Sequence, residues 1–195
     1  MTRPDGRNGH DARRRDFAAF VAEHARGLNR LGYLMLSDEH AAEDVAADAL
    51  LAAWQHWDRV RAVDNPLAYV RRILVNMAME RIRHRARETT LLVRLELATT
   101  AGTNDPDSAS AVDVRAALLR LPPRRRACLV LRHAFDLSEE AVAQILGVTV
   151  GTVKSQTSKA LAQFKAEVGH GRALSRQLVP DDPAGRTGGR ATGHA

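Results

Sequence analysis

Thr149, Gly151, Thr152, Lys154, Ser155, Gln156, Ser158 and Lys159 crowd hydroxyl, amide and ammonium groups into one short run. At the helical period, Gly151, Thr152, Ser155 and Lys159 fall on one side, and Val150, Val153, Thr157, Leu161 and Phe164 on the other. The polar side suits DNA. Glycine lets backbone come close to phosphate, Thr152, Ser155 and Gln156 can hydrogen-bond base edges, and Lys154 and Lys159 can meet phosphate or guanine. A second helix is expected just upstream, with Ser138 as its cap, Glu139 and Glu140 at the positive dipole end, and Val142, Ile145 and Leu146 as its apolar stripe. Gly147 ends it in a left-handed turn, and Thr149 caps the next helix. Two short helices around a tight turn form a helix-turn-helix; the bland alternative is a helical hairpin with a solvated outer face.

Two further sets could do chemistry. From Pro66, with Asn65 as its cap, a helix to about Arg87 carries Val70, Ile73, Leu74 and Met77 on one face. Its opposite face is expected to carry Arg72, Asn76 and Arg83 interleaved with exposed Val75 and Met79, and Arg81, Arg85 and Arg87 extend a positive track. Cations for phosphate beside amide and apolar groups for bases suit unstacked nucleotides; the competing account is a helix end whose arginines meet the negative dipole. An earlier helix, opened by Ser37 or Asp38 and running to about Trp57, exposes Glu43, Asp44 and Asp48. Acids repel DNA phosphate, so that face is either solvated or meets a basic protein.

The elements that hold these residues are helical. Hydrophobic residues make up 45% of the 195 but aromatics only 4%, so Leu, Ala and Val do most of the packing, and no run alternates as a strand would. The expected fold is all-α: two small helical domains joined by a flexible linker. Their boundaries are a disordered start at 1–12, a first domain at 13–87, a linker at 88–109 around Thr99–Ser108, a second domain at 110–168 and a disordered tail at 169–195. Trp54 and Trp57 are expected as core anchors. The net charge of +6 and the pI near 10.4 favour a polyanionic partner. Cys128 is the one cysteine, which excludes a disulfide framework and suits a reducing compartment. No signal peptide or membrane span is evident, so a cytoplasmic protein without membrane insertion is expected.

The order of these features resembles the extracytoplasmic-function group of bacterial sigma factors. The likeness runs from about Asp16 to Val168 and rests on Ala42–Trp54, on Asn65-Pro-Leu-Ala-Tyr-Val-Arg-Arg72 with Asn76, on Leu121-Pro-Pro-Arg124, and on Leu137–Glu140 through Gly151–Ser155. It implies that Glu43, Asp44 and Asp48 bind core RNA polymerase, whose beta-prime and beta subunits and promoter DNA are the implied partners. It further implies that Asn65, Arg71, Arg72, Asn76 and Arg83 hold the minus-10 element while the run from Thr149 to Lys159 reads the minus-35 element. An anti-sigma protein is a further candidate partner, and no metal or cofactor is implied. Two positions depart from the family pattern: Ala47 stands where Gln is common, and Ala52 where Arg is common. These departures imply either a weaker polymerase contact or one carried mainly by Asp44 and Asp48.

Two other classes compete. A dimeric helix-turn-helix regulator would bind duplex DNA without polymerase, but no zipper or ligand-pocket motif supports it. An enzyme lacks its constellation: His40 with Glu43 has no second histidine at zincin spacing, Cys128 and His133 do not share a helix face, and there is no phosphate-binding loop.

Overall fold

The computed structural model describes residues 6–94 and 109–178, with side chains over 10–88 and 114–169. Among these residues the structure is helical, without strands. The first block comprises α1 (Gly6–Leu36), α2 (Glu39–Gln55), the single turn α3 (Trp57–Val60) and α4 (Pro66–Arg94). The second comprises α5 (Ala109–Arg120), α6 (Pro123–Leu129) continued by a π-helical turn over Val130–Ala134, α7 (Glu139–Leu146) and α8 (Val150–Leu178).

Local chemistry sets the helix ends. Ser37 takes a left-handed conformation, φ 55°, that stops α1, and Asp38 starts α2 by accepting the Ala41 N–H at 3.0 Å. The Ala41 N–H is also the main reason the Asp38 carboxyl titrates below its ordinary range, with Arg85 at 3.0 Å adding to it. Asn65 caps α4 through the Ala68 N–H at 2.9 Å, and Ser138 caps α7 through the Ala141 N–H at 3.1 Å. Three ends overrun the sequence expectation. α1 begins at Gly6 instead of 13, α4 passes 87 to Arg94, and α8 passes 168 to Leu178. No proline interrupts these stretches, and the lone glycines in them lower helix propensity without abolishing it. The expected linker between 95 and 108 and the tail beyond 178 lie outside the described residues.

The first block's core is built on α1, α2 and α4. Gly32 is required where α1 crosses α2: a Cβ there would stand 3.0 Å from the Ala42 carbonyl oxygen. Trp57 is buried, its ring 5.0 Å from Phe17 and 5.1 Å from Phe20, and its Nε1 donates to Asp16 at 3.0 Å. Truncating such a residue costs about 3–5 kcal/mol, so Trp57 anchors the block as expected. Trp54 is only half-buried, and the Arg13 guanidinium lies 4.5 Å above its ring. The buried residues of both blocks form one continuous apolar cluster, from Leu28 and Val75 to Leu131 and Ile145. The blocks therefore pack against each other.

Candidate nucleic-acid interface

The turn between α7 and α8 forms as its residues dictate. Gly147 adopts φ 65° and ψ 40°, the left-handed conformation that lets the chain leave α7. The Thr149 hydroxyl accepts the Thr152 N–H at 3.2 Å and lies 2.8 Å from the Thr152 hydroxyl. Both hydroxyls thus help to start α8. Val153 and Ala160 are fully buried, while Val150, Thr157, Leu161 and Phe164 are half-buried around them. With that side fixed, Gly151, Thr152, Lys154, Ser155, Ser158 and Lys159 face solvent, and Gln156 is half-exposed at the edge. Lys154 pairs with Glu139 at 3.5 Å, which restrains its ammonium beside the start of α7. A hydrogen bond from its own backbone N–H, and then the Ser138 hydroxyl, hold the neighbouring Glu140 carboxyl below its usual range.

On α4 the structure keeps the polar half of the expected face and removes the apolar half. Val75 is completely buried and Met79 half-buried against the core, so neither is an exposed base contact. The helix is covered on two sides, by α1 and α2 and by α7, and a residue on either side goes inward. The exposed row is Asn65, Tyr69, Arg72, Asn76, Glu80 and Arg83, spaced three or four residues apart. Tyr69, 41% exposed, is the aromatic the spacing argument passed over; its position three residues before Arg72 was the available signal. Arg83 pairs with Glu80 within this row. Arg71 leaves it: its guanidinium lies 5.3 Å from the centre of the Phe135 ring, and burial lowers its pKa.

The expected positive track also breaks. Arg81 turns to α2, reaching Asp44 at 3.3 Å, Asp48 at 3.8 Å and the Ala41 carbonyl at 3.2 Å, while Arg85 turns to Asp38. Opposite charges across the α2–α4 contact draw these side chains away from the Arg72 row. Glu43, Asp44 and Asp48 are exposed as expected, but a single guanidinium bridges the last two. Leu51, on the next turn after Asp48, is 56% exposed and borders a shallow apolar groove lined by Phe17, Leu50 and Trp54. The acidic row therefore ends in an apolar patch. Among the described residues no His, Cys, Asp and Glu cluster could hold a metal, and no helix is long and apolar enough to cross a membrane.

Residues 20–88 match the family model described as Sigma-70 region 2, and residues 111–164 the one described as Sigma-70, region 4. The chain is 30% identical over 168 residues to the RNA polymerase sigma-E factor of Streptomyces avermitilis, covering 83% of this chain and 92% of that protein. It is also 30% identical to the ECF RNA polymerase sigma factor SigM of Mycobacterium tuberculosis, covering 79% and 78% of the two chains. Among solved structures, the sigma factor RpoE in complex with the anti-sigma factor NepR from Bartonella quintana aligns with a TM-score of 0.65 and 26% identity, over 79% of this chain and 97% of that one.

Proposed function

The chain belongs to the extracytoplasmic-function group of sigma-70 family RNA polymerase sigma factors, and on that premise we propose that it directs core polymerase to promoters by reading two DNA elements and holding one strand open. The observation that carries this is the separation of two exposed polar rows on one framework, Tyr69, Arg72 and Asn76 on α4 and Thr152, Ser155 and Lys159 on α8. The α8 row mixes hydroxyls with cations on a helix narrow enough for a major groove, which suits duplex readout at minus-35. The α4 row combines an aromatic ring, a guanidinium and an amide, which suits an unstacked strand at minus-10. There Tyr69 stacks, Arg72 meets phosphate and Asn76 hydrogen-bonds a base edge, with Asn65 and Arg83 as flanking contacts, while Arg71, held on the Phe135 ring, stands outside the strand-facing row. Thr149 and Gly151 bring backbone close to phosphate at the start of α8. Gln156 and Ser158 extend its reading edge, and Lys154 anchors phosphate.

Glu43, Asp44 and Asp48, with Leu51 beside them, form the polymerase-binding surface, because acids next to an apolar patch fit a basic amphipathic helix of a protein and repel DNA. The protein acts as a non-enzymatic subunit in the cytoplasm, where the promoter is. The likeness to a sigma factor solved with its anti-sigma factor supports an anti-sigma protein as a further partner. Reconstitution with bacterial core polymerase on a genomic library, with mapping of transcript starts, tests the proposal. Starts that share two spaced elements and depend on the added protein support it. Tight operator footprints by the isolated protein, with no stimulation of core enzyme, would instead establish a dimeric regulator.

A further inference from the structure

The helix that carries the reading edge at its start is fastened further along at Gln163, which lies one turn beyond Lys159 and two beyond Gln156 on the same side of α8. The Gln163 amide is held at both ends. Its carbonyl oxygen accepts from the Arg125 guanidinium of α6 at 3.3 Å, and its NH2 group donates to the carbonyl of Arg120, the last residue of α5, at 3.3 Å. One turn further, Glu167 pairs with the Arg120 guanidinium at 2.6 Å. A guanidinium only donates and a backbone carbonyl only accepts, so the gap between them fits a side chain with one end of each kind. A carboxylate would meet the Arg120 carbonyl with no proton to offer, and a cation would meet Arg125. The apolar side of α8 is a weaker guide to its rotation. Its fully buried residues are the small Val153 and Ala160, with Leu161 and Phe164 only half-buried, and the Thr157 hydroxyl is buried there without a hydrogen-bond partner. Small side chains make shallow ridges, which resist the roll of a helix less than large interdigitating ones do.

We infer, on the reading of α8 as the minus-35 helix, that Gln163 is a positioning residue for base recognition: with Arg125 and the Arg120 carbonyl it fixes the rotation of α8 about its own axis, and so decides which polar side chains meet base edges. An α-helix is stiff over two turns, so a rotation held at Gln163 is also held at Gln156, about 10 Å along the axis. With side chains reaching about 5–6 Å from that axis, a roll of about 15° moves a side-chain tip by about 1.4 Å. Such a shift stretches a hydrogen bond of about 2.9 Å past the limit at which it still counts as one. Base-edge contacts from short or planar groups such as Ser155 and Gln156 are lost in this way. Phosphate contacts are not, because the long flexible stem of Lys154 follows the phosphate. Loosening the fastening should therefore flatten base preference and leave the salt dependence of binding in place.

Holoenzyme reconstituted with core polymerase, bound to a promoter library randomised over the minus-35 element, reports base preference, and a salt titration on one promoter reports phosphate contact. Gln163→Met keeps the stem of the side chain and loses both hydrogen bonds. Arg125→Met removes one of the two from α6 and leaves α8 unaltered, so a folding defect in the first variant does not decide the outcome. Both are expected to lower preference at the positions read by Gln156 and Lys159 about fivefold, the low end for loss of one base-edge contact, with unchanged helical circular dichroism. The salt slope of Gln163→Met should equal that of wild type. An even loss of affinity with intact preference, or intact preference and affinity in both variants, would overturn the positioning role. Gln156→Ala, measured alongside, separates this from failure of the minus-35 reading. If it changes preference while the Gln163 and Arg125 variants do not, α8 reads the element without this fastening; if none of the three changes preference, the minus-35 reading itself falls.

Discussion

Reversing Asp44 and Asp48 to lysine together should weaken binding to core polymerase about thirtyfold, while Arg81→Gln should strengthen it. Each exposed carboxylate attracts a partner cation at about 4 Å by about 1 kcal/mol in water, so changing its sign costs about 2 kcal/mol and changing both about 4. Screening over a Debye length of about 8 Å and side-chain mobility remove about half, leaving about 2 kcal/mol. Arg81 stands 3.3 and 3.8 Å behind the two carboxylates, on the side of α4. At about 7 Å from the partner cation it contributes about 0.6 kcal/mol of repulsion before screening and about 0.3 kcal/mol after it, so its removal should tighten binding by a little under twofold, about 1.7 times. The fold should tolerate both changes, because the bridged side chains are 35% to 65% exposed and such pairs contribute about 0–1 kcal/mol. Anisotropy titration of labelled protein with core polymerase at two salt concentrations measures the affinities, and thermal melting followed by circular dichroism reports the fold. Unchanged affinity in the double reversal, with an unchanged melt, would remove this surface from polymerase binding; weaker binding by Arg81→Gln would show that Arg81 positions the acids instead of opposing the partner.

Asn76→Ala should slow promoter opening more than docking, so a pre-melted bubble should restore much of its run-off yield; equal loss on bubble and duplex would refute a role in opening. Lys154→Ala should lower affinity evenly across promoter sequences and reduce the salt slope by about one, whereas Gln156→Ala should cost about 1–3 kcal/mol at a single minus-35 position. The opposite pattern in a binding selection would mean that the reading face of α8 is rotated from the one described. Gly147→Ala forces a side chain into the left-handed region and toward Arg72, and should destabilise the protein by about 1 kcal/mol or more in chemical denaturation. The Asp38 carboxyl titrates below its unfolded value, so its contribution is present above the ordinary carboxylate range and is lost as pH falls through the folded value. The difference in melting temperature between wild type and Asp38→Ala should therefore shrink on acidification, and a constant difference would refute that linkage.

Much of this protein was legible in order along the chain, because caps, glycine stops and apolar periods act over a few residues. Ser138, Gly147 and Thr149 specify the turn before α8, and the buried side at Val153 and Ala160 fixes by exclusion which of its polar residues face solvent. Asn65 and Asp38 likewise place the starts of α4 and α2. What the local pattern could not supply was the number of sides on which each helix is covered. Period alone gives α4 two faces, but α2 and α7 both pack on it, so Val75 becomes core and Arg81 turns to the α2 acids. The same holds for the arginines, whose long side chains take their roles from whatever carbonyl, ring or carboxylate the packing brings within reach. Arg126 is one of many arginines in the sequence, and only the meeting of α1 and α5 makes it a buried cation between two helix ends. Helix identity is set by contacts between near neighbours, whereas the partner of a flexible cation is set by residues as far as 91 positions away, which only the assembled fold brings together.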